Sequence, residues 1–210
     1  MSNLLTEHEL SCLKPSPNTD IIYSAICKNP RGNILHHLML DLETLGTGSN
    51  SVILSIGANL FSMNSDTSES FYTAIDIQSS LDKGFTIDGG TIAWWLNQSD
   101  SARLAVINDP RTISEALTMF KAWIYKYEIV GVWGNGSDFD NVILINAFKK
   151  LGFNPPWSYS KHRCFRTLKK MFPLKTEVPR LGTHHNALDD VIYQTNVLKS
   201  ISAEYNLNIL

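Results

Sequence analysis

Apolar residues fall along this chain in two alternating rhythms. Between residues 35 and 77 they form short runs, 35–42, 51–61 and 70–77, separated by brief polar links. Such runs predict three strands in quick succession, and the short links predict an antiparallel meander. From "GGTIAWWLNQSDSARLAVIND" the spacing becomes helical. A second helix begins at "TISEALTMFKAWIYKY", where Thr112 and Glu115 have the spacing of a capping box. "IVGVWG" is short and almost wholly apolar, the mark of a buried parallel strand. Helical spacing returns in "DFDNVILINAFKKLG" and is stopped by Gly152 and then Pro155 and Pro156. A basic, weakly patterned segment with one candidate strand leads to a last helix from about Asn186 to Ser202. The order β-β-β-α-α-β-α-(β)-α predicts an α/β fold, a mixed sheet of antiparallel meander plus parallel strands flanked by helices.

Composition adds boundaries to that picture. At 210 residues the chain fits one domain with a substantial core. Residues 1–33, with the breakers "KPSPNTD" and "KNPRGN", read as an N-terminal extension, 34–205 as the domain, and 206–210 as a tail. No apolar run approaches the ~20 residues of a membrane span, so no membrane partner is expected. The start "MSNLLTEHELSCLK" lacks a basic lead and a continuous apolar core. Cys12, Cys27 and Cys164 are scattered, which suits reduced thiols and a cytoplasmic location. The net charge of −2 argues against a general nucleic-acid binder, but seven of the 18 Lys and Arg lie in "KHRCFRTLKKMFPLKTEVPR", residues 161–180. That stripe reads either as a track for a phosphate backbone or as an ordinary solvated face.

The acids are placed less ordinarily. Asp41 and Glu43 flank Leu42 in the first strand, so both carboxylates point to the same face. Adjacent acids in an apolar stretch repel and resist burial unless a cation lies between them. A solvent-facing strand with an acidic edge would show the same pattern. In "VWGNGSDFDNVIL" a buried strand turns into a helix that begins with Asp138 and Asp140. Asp138 is placed to cap it, and Asp140 lies in its first turn, where an acid also complements the helix dipole. In "GTHHNALDDVIYQ" Asn186 is the predicted cap, and Asp189 is placed for a reciprocal bond to it. Asp190 has no such local duty, and His185 precedes it on a loop.

Together these elements resemble the DEDDh family, the DnaQ-like 3′–5′ exonucleases of the ribonuclease H-like superfamily. The resemblance rests on Asp41 and Glu43 in the first strand, Phe139-Asp140 opening a middle helix, and His185 five residues before Asp190, and it covers about residues 35–203. "TIAWWLNQSDSAR" and "GNGSDFDNVIL" are similar to a subgroup with phage exonucleases of the DexA type, exonuclease VIII-associated domains and a mycobacterial exoribonuclease. The chain departs from the family at Asp138, where a small neutral residue is common, which leaves Asp138 as a rival to Asp140.

The resemblance implies a ribonuclease H-like sheet and hydrolysis of phosphodiesters from a 3′ end, releasing nucleoside monophosphates. It implies that Asp41, Glu43, Asp140 and Asp190 hold two divalent ions, Mg²⁺ or Mn²⁺, about 4 Å apart. His185 would be the general base, with Glu43 sharing in catalysis. Backbone amides at Thr44 and Leu45 would hold the terminal nucleotide, and Trp95 (or Trp94) would stack on a base unless both rings are core. Single-stranded or 3′-overhang DNA or RNA is the implied partner, with DNA slightly favoured, and a homodimer is a further implied partnership. Two other readings are a non-catalytic nucleic-acid-binding or interaction module and a structural calcium site. Retention of all four acids and the histidine argues against the first, and the lack of an EF-hand-like ligand loop against the second.

Overall fold

A computed structural model describes residues 35–63, 65 and 68–209. The predicted N-terminal extension, with Cys12 and Cys27, lies outside the described residues. Strands β1 (His36–Thr44), β2 (Ile53–Phe61) and β3 (Ser68–Ala74) form the antiparallel meander that the short polar links require. β4 (Ile129–Gly134) pairs in parallel with β1, and β5 (His162–Cys164) in parallel with β4. The order β3-β2-β1-β4-β5 puts β1 at the centre of a mixed sheet. A strand paired on both edges and covered on both faces is buried almost throughout, and in "HHLMLDLET" every residue but Asp41 is buried.

Helices α1 (Ile77–Leu81), α2 (Gly89–Leu96), α3 (Asp100–Ile107) and α4 (Ile113–Ile124) lie between β3 and β4. They are followed by α5 (Asp140–Lys150), α6 (Phe165–Met171) and α7 (Ala187–Tyr205). The single helix predicted around 89–109 is two. Ser99 starts the second by accepting from the Ala102 amide, and Arg103 donates to the Leu96 and Gln98 carbonyls left open at the break. The third strand ends at Ala74, earlier than its apolar pattern, because Asp76 caps α1 through the Ser79 amide. Thr112 and Glu115 form the reciprocal capping box at α4. After α7, Asn206 adopts the left-handed conformation, and the predicted tail folds back so that Leu207 and Ile209 pack on the core.

Alternation along β1 divides two cores. Leu38, Leu40 and Leu42 join the larger one with Ala102 of α3, Phe120 of α4 and Phe148 of α5. Met39 faces the other way, into a smaller core with Phe61, Trp133, Phe165 of α6, and Val191 and Leu198 of α7. Asp41 and Glu43 continue the Met39 row, so period-2 geometry delivers both acids to the side where α7 begins. That helix start sits directly on the sheet at Gly57, which pairs with Asp41 across β1 and β2. A Cβ at Gly57 would lie 2.3 Å from the carbonyl carbon and oxygen of Ala187.

Substitution there tests the docking of α7. Gly57→Ala should lower stability by ~1–3 kcal/mol, because a backbone contact cannot yield as a flexible side chain does. A urea midpoint equal to wild type would show that α7 is not held at this contact.

Candidate active site

Three elements bring the sequence-predicted acids together at one end of β1. Glu43 is buried, at 8% exposure, and Asp41 is half-buried. Asp140, 3% exposed, opens α5, and its Oδ1 accepts from the Leu42 amide at 3.1 Å, between the two β1 acids. Gly134 ends β4 without a side chain at the point of closest approach. A Cβ there would stand 2.5 Å from Asn141 Oδ1 and 3.1 Å from Asp140 Oδ2.

Asp138 does not cap α5. A turn closed from the Phe139 amide to the Gly136 carbonyl moves the helix start one residue on, leaving Phe139 in the cap position and Asp138 exposed. Asp140 is thus the acid of this pair that faces the cluster.

The start of α7 supplies the rest. Asn186 Oδ1 accepts from the Leu188 amide at 3.0 Å and the Asp189 amide at 3.3 Å. Asp189 does not return a bond to that cap, because its carboxylate is taken by the Thr183 amide at 2.7 Å. The chain passes so close that a Cβ at Gly182, itself at φ 85°, would meet this carboxylate. Asp190 is then free to face β1. Gln194, one helical turn on, donates from Nε2 to Asp41 Oδ1 at 2.9 Å. Arg180 forms an ion pair with Asp190, and its guanidinium lies 4.8 Å from the Tyr193 ring centre. His185 has φ 62°, a left-handed conformation that non-glycine residues adopt chiefly where surroundings impose it. Its ring meets Trp94 edge-on with centres 4.8 Å apart.

Two predicted substrate contacts need correction. Trp95 is 6% exposed, and its Nε1 donates to the Thr44 carbonyl, so its ring is core. Trp94 is the exposed member of the pair, at 43%. The Leu45 amide is committed to the Val52 carbonyl, and the Leu45 carbonyl to the Asp88 amide, because the turn after β1 continues the sheet pairing. Thr44 is buried, and its hydroxyl donates to the Gly46 carbonyl. Sequence reasoning passed over Gln194, named Trp94 only as the alternative to Trp95, and met Arg180 only as the end of the basic stripe. Only Gln194 carried a positional signal, its i+4 spacing from Asp190.

Burial governs the electrostatics. Burial, then Asp140 and Glu43, holds the Asp41 carboxyl well above the usual carboxylate range. Burial, with Asp140 beside it, pushes Glu43 up to about 8. Burial raises Asp140 to about 7, against the opposing pull of the Leu42 amide. Burial lowers the His185 imidazole, with His184 and Arg180 adding to the effect. One ligand atom each from Glu43, His185 and Asp190 lies within 4.8 Å of the others, an arrangement able to hold a metal ion. A donor set dominated by carboxylate oxygens fits a hard cation such as Mg²⁺ or Mn²⁺, whose charge would relieve the repulsion that raises these acids.

Comparison with known proteins places the chain among 3′–5′ exonuclease domains. Residues 36–202 match the family model described as the 3′-5′ exoribonuclease Rv2179c-like domain, and the chain belongs to that family. No curated protein matches the sequence. Among solved structures, one similar chain is the crystal structure of cell-death related nuclease 4 (CRN-4), with a TM-score of 0.49 and 11% identity over 80% of this chain. The alignment spans 64% of that chain. Among the described residues, no helix is long and apolar enough to cross a membrane.

The raised carboxyls make a pH prediction for the metal-free protein. Groups whose pKa is higher folded than unfolded bind extra protons on folding, so stability falls as pH rises through the interval between the two values. In chelator, the melting temperature should drop from about pH 5 to about pH 8. Asp140→Asn should flatten the drop and add about 1–3 kcal/mol at the alkaline end. Added Mn²⁺ should restore the wild type. A melting temperature that stays level with pH would show that these carboxyls ionise freely.

Proposed function

We propose that this protein is a metal-dependent 3′–5′ exonuclease of the DEDDh type, removing nucleoside monophosphates from single-stranded ends, with RNA as its main substrate. The observation that carries this reading is the meeting of Asp41, Glu43, Asp140 and Asp190 beside His185 at a buried strand end. The family description favours RNA over the DNA suggested by the phage-like motifs. Two divalent ions held by the four carboxylates would supply the charge that activates water and steadies the departing 3′-oxygen. The Leu42 amide and Gln194 orient Asp140 and Asp41 for that task. His185 accepts the proton of the attacking water, and its lowered pKa keeps it in the accepting form at neutral pH. Trp94, exposed against His185, offers its ring to the terminal base. Arg166 packs over Gly136 near Asp140, and Lys169 and Lys170 are exposed on α6, which suits an approaching phosphate backbone.

Strands labelled at the 3′ or the 5′ end, RNA and DNA in parallel, test the reaction. Mononucleotides should appear first and only with Mg²⁺ or Mn²⁺, with RNA consumed faster. Asp140→Ala should abolish hydrolysis and Asp138→Ala should not. Short oligonucleotides as the earliest product would indicate an endonuclease and overturn the reading.

The role of His185 has its own test. His185→Ala should cut kcat by ~10²–10⁴ while leaving Mn²⁺ affinity nearly unchanged. In the wild type, the rate should rise with pH across an inflection below the ordinary imidazole value, since only the neutral ring accepts a proton, and the variant should lose that inflection. A large loss of Mn²⁺ affinity in His185→Ala would make His185 a ligand instead of the base.

A further inference from the structure

Arg180 stands at the site with no part in the chemistry above. Its Nη2 pairs with Asp190 Oδ1, and its buried Nε has no hydrogen-bond partner. Buried donors left open are costly, and a guanidinium has no neutral form to retreat to. The group lies over the ring of Tyr193, three residues along α7 from Asp190. Arg180 is therefore a cation placed against the acids that would hold metal, and it contends for the same carboxylate.

Nε, which has no partner, and Nη2, which faces Asp190, lie on one edge of the planar fork. Such an edge matches two oxygens of a phosphate, a geometry that a carboxylate engaged from one side leaves unused. We propose that Arg180 changes partners during the reaction cycle. In the metal-free protein it neutralises Asp190. When divalent ions take that carboxylate, the guanidinium, still resting on Tyr193, presents Nε and Nη2 to a phosphate of the bound strand. Metal and strand then bind cooperatively, since the first frees the donor that the second needs. This rests on the exonuclease reading, because it requires a metal at Asp190 and a phosphate beside it.

Two variants and two binding measurements test it. Mn²⁺ affinity is measured by calorimetry on the nucleic-acid-free protein. Affinity for a single-stranded RNA is measured by fluorescence anisotropy in saturating Mn²⁺, in a His185→Ala parent that slows turnover. Arg180→Gln should bind Mn²⁺ ~10-fold more tightly than wild type, and bind the strand ~10-fold more weakly. The salt dependence of strand binding should fall by about one unit of slope. Arg180→Lys keeps the charge but lacks the fork, so it should bind Mn²⁺ much as wild type does and still bind the strand weakly. Unchanged or weaker Mn²⁺ binding by Arg180→Gln, or undiminished strand binding, overturns the proposal while leaving the exonuclease reading intact. A wild-type protein that binds no Mn²⁺ and degrades no strand overturns the exonuclease reading itself.

Discussion

Like charges withdrawn from water impose the conditions that the rest of this fold meets. Burial raises the proton affinity of Asp41, Glu43 and Asp140, and Asp140 raises that of Asp41 and Glu43 further. An arrangement of this kind opposes folding, so its stability must come from elsewhere. Two apolar cores on opposite faces of the sheet provide it, one beneath α3, α4 and α5 and the other beneath α6 and α7. The central strand is common to both. β1 is therefore buried along most of its length and carries two raised carboxyls at one end.

Convergence of the acids is a matter of close approach. Two helices begin against the sheet at glycines, Gly134 beside Asp140 and Gly57 beside Ala187. In each case the missing Cβ lets a helix start lie where a side chain would hold it off. The positive end of each helix dipole then comes near the carboxylates, a small favourable contribution in a crowded place. Single amides do the finer alignment, with Leu42 fixing Asp140 and Thr183 drawing Asp189 away so that Asp190 alone turns inward.

Much of this was legible in the sequence wherever one element determines its own geometry. The apolar runs located the first four strands, the capping box at Thr112 appeared where its spacing placed it, and Asn186 capped the last helix. Elements of one or two turns were less legible. α1 and α6 are too brief to show a repeat, β5 was read only as a candidate strand without bounds, and the break between α2 and α3 depends on one serine and an arginine of α3. Neighbours such as Trp94 and Trp95 differ only in which way the helix faces, something that tertiary packing decides. The Leu45 amide was spent on a partner across the turn, and Arg180 reached Asp190 from a loop without periodicity. Side chains that act at a distance leave no local trace.

The bond between Thr183 and Asp189 also sets a clock. With the Thr183 amide held by Asp189 and the Thr183 carbonyl by the Asn186 amide, His185 sits inside a small closed turn and not on a free loop. The imidazole can change position chiefly by rotating about its own side-chain bonds, a matter of picoseconds to nanoseconds, and not by the slower ordering of a whole segment. For a histidine serving as the base proposed above, such rotation is fast compared with enzymatic turnovers of ~1–10³ per second. On that proposal, positioning of the ring does not limit the rate.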